Sequence, residues 1–180
     1  MKVTFLGTGT STGIPIIGCR CDACQSNDFR DNRLRVSIQI EINGKILVID
    51  IGPDFRQQML RVGTTKIDAI LITHDHSDHI AGLDDIRPFN FMHKIDMPIY
   101  SDSNVQETLR QKHPYIFEAS YPGVPKIELH TISKESNFVA AGIPIVPIEI
   151  HHGKLPILGF RIGDFAYLTD FKTIDAVEIR

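Results

Sequence analysis

Residues 70–85, ILITHDHSDHIAGLDD, decide how this chain is read. An apolar run breaks off, and three His and four Asp follow within twelve positions. On a helix, residues two apart diverge by about 200° and could not share one cation. At the end of an extended strand, positions two apart point the same way. The buried strand DAILIT (68–73) running into His74-x-His76 therefore suits two imidazoles to one cation. Asp78 and His79 come where HIAGLDD can turn into a short helix. That offset lets them face a second cation beside the first. Imidazole with carboxylate suits zinc, manganese or iron, and paired cations suit phosphate-ester hydrolysis. Asp75 and Ser77 are read as residues that orient the loop. A polar surface loop is the plainer alternative, and the spacing after an apolar strand argues against it.

The rest of the chain bounds the setting. Its 180 residues fit one domain, and 42% hydrophobic residues allow a real core. A formal net charge of −3 argues against a nucleic-acid partner, which usually meets a basic stripe. No apolar run approaches the ~20 residues of a membrane helix, so no membrane partner is expected. The opening MKVTFLGTGTSTG lacks the apolar core of a signal peptide. The three Cys sit together at 19, 21 and 24, unlike a dispersed, even-numbered disulfide framework. A reducing, cytoplasmic setting is the expectation.

Local patterns outline the elements. KVTFLG (2–7) reads as a strand followed by a glycine-rich loop. VSIQIEI (36–42), Asn43-Gly44 and KILVID (45–50) read as a hairpin. PDFRQQMLRVG (53–63) reads as a helix with Pro53 near its first turn and Gly63 past its end. SNVQETLRQK (103–112) is helical, and from about Ile127 strands dominate. This order suggests packed sheets with helices outside, not a doubly wound parallel sheet. GTGTSTG is no dinucleotide fingerprint, because its third Gly falls at 13, one place late.

Other candidates lie far along the chain. His151-His152 follows the apolar IPIVPIEI, and one of the pair is expected to complete the first metal. Asp170 ends FAYLTD and could bridge two metals, although an acid there is commonly a turn former. Asp50 ends ILVID and could support a ligand loop through hydrogen bonds. Cys19, Cys21 and Cys24 form C-x-C-x-x-C, a structural zinc site lacking one ligand, with three unrelated thiols as the alternative. Arg30, Arg33, Arg35, Arg56 and Arg87 are read as solvated. His93, His113 and His130 are read as surface or packing residues. Phe89 and Phe91 are read as packing residues near a pocket wall.

THDHSDHIAGLDD resembles the His-x-His-x-Asp-His signature of the metallo-β-lactamase superfamily, and VIDIG, the later His and YLTD keep that family's order. FLGTGTSTGIPIIGCRCDAC, IDIGPDFRQQML and GLDDIRPF resemble the PhnP-type phosphodiesterases, which hydrolyse phosphoribosyl cyclic phosphate. The resemblance runs along essentially the whole chain. It implies an α/β fold, the αββα sandwich of two mixed sheets with outer helices, over a single domain spanning 1–180. It implies two active-site divalent metals, zinc or manganese, and one structural zinc on Cys19, Cys21 and Cys24. His74, His76 and His152 would hold the first metal, His152 being favoured because it directly precedes Gly. Asp78 and His79 would hold the second, with Asp170 bridging and Asp50 supporting. A metal-bound hydroxide would attack phosphorus. The family continues for several dozen residues past the Asp170 strand, with further His residues for the second metal and the cysteine site. The expectation is thus a domain truncated at its C-terminus, with an under-liganded second metal.

The leading expectation is a dinuclear phosphodiesterase acting on a small cyclic or activated phosphodiester. The alternatives are a tRNA 3′-processing-type endoribonuclease and a non-catalytic metal-binding domain. A homodimer is implied by the resemblance alone.

Overall fold

The computed structural model describes residues 1–118 and 122–179. Two sheets face each other. The first has six strands in chain order, β1 (Lys2–Gly7), β2 (Ser37–Ile42), β3 (Lys45–Ile49), β4 (Ala69–Leu71), β5 (Met97–Ser101) and β6 (Ile127–Thr131). β1, β2 and β3 pair antiparallel, whereas β3 through β6 pair parallel. The second sheet is built from β7 (Phe138–Ala140), β8 (Ile143–His152), β9 (Leu155–Ile162), β10 (Phe165–Tyr167) and β11 (Thr173–Ile174). Its order is β10-β9-β8-β11, with β7 also on β8, and its pairings are antiparallel.

Among the described residues, five short α-helices accompany the sheets: α1 (Phe55–Val62), α2 (Ser77–Ile80), α3 (Arg87–His93), α4 (Ser103–Lys112) and α5 (Pro114–Phe117). The expected packed sheets with outer helices are present, and the fold is the α/β sandwich that the resemblance implied.

The central strands are apolar without interruption because both of their faces are buried. Leu47, Ile49, Ala69 and Leu71 face Ile145, Leu158 and Phe160 between the sheets. Val48 and Ile70 point the other way, into a layer with Phe55, Ile80, Leu83, Val105 and Leu109 from the helical side. The Asn43-Gly44 turn is a hairpin as expected, with φ of 51° and 73° that suit a tight primed turn.

Several boundaries differ from the sequence reading. α1 starts at Phe55, two residues later than expected, while Gly63 ends it in the left-handed region at φ 68°. α3 had no expected counterpart, and it begins with Pro88 in its first turn. β4 stops at Leu71, so His74 and His76 lie in the loop beyond it. The cause is long-range: the Thr73 N–H donates to the Asp50 carboxylate at 2.9 Å, and the Thr73 carbonyl accepts from Leu158 N at 3.1 Å. Those bonds take Thr73 out of the ladder and tie it to the second sheet. The sequence placed both His on a strand end; the structure places them on this tethered loop.

The turn after β3 packs directly beneath the histidine motif. Ile51 N donates to the His79 carbonyl, and Gly82 N donates to the Ile51 carbonyl, each at 2.8 Å. Glycine is required at that approach, because a β-carbon on Gly52 would lie 1.9 Å from the Asp78 carbonyl oxygen. Gly52→Ala should therefore lower the unfolding free energy by about 1–3 kcal/mol, the usual cost of overpacking. Urea denaturation of the variant beside the parent protein checks this; an unchanged midpoint would remove the constraint.

Candidate metal centre

The structure gathers the motif residues with two side chains from the second sheet's end of the chain. The His74 ring lies 4.5 Å from His76 and 4.0 Å from His79, centroid to centroid. His152 reaches the same place, 5.8 Å from His74 and 5.2 Å from His76. His151 does not: adjacent strand positions face opposite ways, and its Nε2 lies 3.8 Å from Asp175. Asp170 Oδ2 stands 3.3 Å from His79 Nε2 and 3.9 Å from His74 Nε2. Asp78 Oδ2 stands 3.4 Å from His79 Nε2. All six expected ligand candidates thus converge, although they come from chain positions as far apart as 74 and 170.

Asp50 organises this cluster from below. It is fully buried, and its Oδ2 pairs with His79 Nδ1 at 2.8 Å. Thr73 donates both its N–H and its hydroxyl to the same carboxylate. That hydroxyl has one proton, so toward His74 Nδ1, 3.0 Å away, it accepts. His74 is then protonated on Nδ1 and carries its lone pair on Nε2. That Nε2 is buried without a hydrogen-bond partner, and so is Nδ1 of His152. Unpartnered imidazole nitrogens beside two carboxylates fit a divalent cation, which would satisfy groups that are costly to leave bare. Thr73 and Thr169, whose hydroxyl donates to Asp170 Oδ1 at 2.9 Å, were missed by sequence reasoning. Their only signal is position, each lying directly before a candidate ligand.

Strain marks the two supporting turns. Asp50 and Asp170 both follow strand ends with positive φ, 64° and 56°. Aspartate tolerates that region better than most side chains, yet it still signals a held conformation.

Charge is distributed accordingly. Burial, aided by the neighbouring His79, pushes His74 down to about 4, so its ring is neutral. His79 goes the other way. Burial opposes its protonation, but Asp50 and Asp170 outweigh that and raise it to about 10. The hydrogen bond from His79 holds Asp170 well below the usual carboxylate range.

The cysteines also converge, their sulfurs lying within 4.8 Å of one another. Cys19 and Cys21 sulfurs are 3.4 Å apart, and Ile16 N donates to Cys24 at 3.3 Å. The Cys24 N–H and the Cys19 thiol lower the pKa of Cys21, whereas burial and the two neighbouring sulfurs raise that of Cys24. Three thiols without a disulfide at this distance fit a soft cation such as zinc.

Several of the remaining residues have structural partners. Asp75 accepts from Thr108 at 2.8 Å, so it anchors the loop as expected, while Ser77 opens α2. Arg35 is not a solvated cation: it forks onto Asp54 and donates to the Ser11 carbonyl. It therefore fastens the glycine-rich loop to the start of α1. Arg30 pairs with Asp28, and Arg87 donates to the Asp84 carbonyl. His130 stacks on Tyr100, and His93 bonds the Thr65 carbonyl. Phe89 is core, but Phe91 is exposed.

With the geometry in place, comparison with known proteins fixes the family. Residues 45–180 match the model of the beta-lactamase superfamily domain. The chain belongs to the metallo-β-lactamase superfamily. Within this superfamily, it is similar to a crystal structure of a new diphosphatase from the PhnP family. The TM-score is 0.90 and the identity 40%, over 98% of this chain and 67% of that one. The zinc-bound PqqB of Methylobacterium extorquens shares the metallo-β-lactamase fold at a TM-score of 0.69 and 20% identity, over 91% of this chain and 62% of that one. A Porphyromonas gingivalis protein named octanoyltransferase is 44% identical over 99% of this chain. The chain spans 36% of that relative's length, so the name describes a much longer protein.

Removing Asp50 would strand a buried histidinium. Asp50→Ala should destabilise the metal-free protein by about 3–5 kcal/mol near neutral pH. A group raised from 6.5 to about 10 contributes stability that is complete below 6.5 and lost as pH rises through 10. Denaturation across that interval should show the parent losing this increment and the variant, left with only Asp170 and Asp78 beside His79, losing a smaller one. At the other site, thiol titration of metal-free protein should find three reactive thiols, and added zinc should protect them; unchanged reactivity would exclude a zinc site there.

Proposed function

We propose that the protein is a metal-dependent hydrolase of a small cyclic or activated phosphodiester. The observation that carries this reading is the pair of buried, unpartnered imidazole nitrogens on His74 and His152, set beside His76, His79, Asp78 and Asp170. His74, His76 and His152 would hold one divalent cation, and Asp78 and His79 a second, with Asp170 between them. Such cations, zinc or manganese, polarise phosphoryl oxygens and lower the pKa of water.

The chain's own residues prepare the site for that chemistry. Asp50 and Thr73 fix the ring tautomers, so that lone pairs face inward. Thr169 orients Asp170. Hydrolysis exchanges one P–O ester bond for P–OH, with the water's second proton passing to the leaving alcohol. The likeness to a PhnP-family diphosphatase supports a phosphorus centre as the electrophile. The P. gingivalis relative gives no comparable support for acyl transfer, since this chain matches only 36% of it.

The test is turnover of bis(p-nitrophenyl) phosphate with manganese or zinc. Activity should require the cation and fall about 100-fold or more in His76→Ala, at least the loss seen when a metal site's outer supports are removed. No hydrolysis of any phosphodiester with either cation would overturn the reading, and cleavage of precursor tRNA in its place would favour the nuclease alternative.

A further inference from the structure

We propose that Tyr167 is a positioning residue for the metal centre: its buried hydroxyl donates to Thr169, and Thr169 in turn holds Asp170 in the orientation that bridges two cations. This deepens the metal-dependent reading of the site and rests on it.

Tyr167 ends β10, where it pairs with Phe160 of β9. It is 6% exposed and packs in the layer between the two sheets. The other buried members of that cluster are apolar throughout, so a phenylalanine would fill the place without burying a hydroxyl. The Tyr167 hydroxyl is buried and closes no hydrogen bond of ordinary geometry. A polar atom in that position is costly to a fold, and its surroundings show what it serves.

The segment beyond β10 supplies the partner. Extended residues alternate in direction. Leu168 turns to the outer cluster of Ile148, Ile150 and Ile157, while Tyr167 and Thr169 on either side of it are both buried. Gly159 keeps the segment in place, because a β-carbon there would lie 2.4 Å from Leu168 Cδ2 and 2.8 Å from the Tyr167 carbonyl oxygen. Burial and then Asp50 push the Tyr167 pKa up, Thr169 pulls it down, and Asp170 adds to the rise. The phenol therefore keeps its proton and stands among these three side chains.

The count of protons sets the direction of the chain. Thr169 has one hydroxyl proton, and it goes to Asp170 Oδ1 at 2.9 Å. Toward Tyr167 the Thr169 oxygen can only accept, so the phenol is the donor. A donor on the Thr169 lone pair leaves its proton no better acceptor than the carboxylate, and it strengthens that bond. Asp170 requires such a hold. Its φ is 56°, its side chain is 28% exposed, and its Oδ2 must stay toward His79 and His74, 3.3 and 3.9 Å away. With Oδ1 tied to Thr169, Oδ2 is left facing the histidines.

The test is calorimetric titration of the full chain with manganese, a cation suited to carboxylates more than to the cysteine thiolates. Urea denaturation of the metal-free protein accompanies it. Tyr167→Phe should weaken manganese binding about 10-fold, the lower end for loss of a metal site's outer support. Its urea midpoint should be unchanged or raised, since the hydroxyl removed is a costly one. Thr169→Val should weaken binding at least as much, Thr169→Ser should retain it, and Tyr167→Phe should add nothing to Thr169→Val. Unchanged affinity in Tyr167→Phe, additive losses in the double variant, or a loss that comes with a lowered urea midpoint would overturn the role. A parent protein that binds manganese yet hydrolyses no phosphodiester would sink the phosphodiesterase reading alone, and the affinities would still decide the role of Tyr167. If manganese does not bind, zinc replaces it, with Cys19, Cys21 and Cys24 changed to Ser; a chain that binds neither cation overturns both.

Discussion

The Asp50 carboxylate has no access to solvent, and everything around the metal centre leans on it. One oxygen takes the Thr73 N–H and so ends β4 at the point where the histidine loop must begin. The other takes the His79 ring and, with the Thr73 hydroxyl, sets the proton positions of two imidazoles. A buried carboxylate is costly unless its lone pairs are used, and here they are used on backbone, hydroxyl and imidazole together. The cost is met only in this arrangement, so the arrangement is specified.

The neighbouring backbone is equally constrained. Ile51 and Gly82 exchange contacts with the motif, and no β-carbon fits at Gly52. Arg35 and Asp54 tie the glycine-rich loop to the next helix. Around these links the two apolar layers supply most of the stability, one between the sheets and one beneath the helices. The site therefore sits where rigid strands end and short, fastened loops begin. This is the arrangement in which loops carry chemistry and the scaffold keeps them still.

Two candidate cation sites on one superfamily domain differ in chemistry. The histidine and aspartate cluster carries the proposed chemistry, with inward lone pairs and two supporting carboxylates. The cysteine cluster lies on an exposed loop, and its thiols suit a structural role.

The sequence by itself determined a good deal. The apolar run into His74-x-His76-x-Asp78-His79 singled out a candidate metal motif, because the spacing of such residues is local. The hairpin at Asn43-Gly44, the close of α1 at Gly63 and α4 at 103–112 were legible for the same reason. The short α3 was not, since RPFNFMH is too brief for a clear helical period. Nor was the end of β4, because a carboxylate twenty-three residues earlier ends it. Family order favoured His152 over His151, but only the pleat of β8 decides which of two adjacent imidazoles faces the cluster. Thr73 gains its meaning from Asp50, a partner twenty-three residues away. Composition and spacing fix what a segment can do, whereas lone-pair direction and unpaired charge exist only once distant segments have been brought within hydrogen-bond reach.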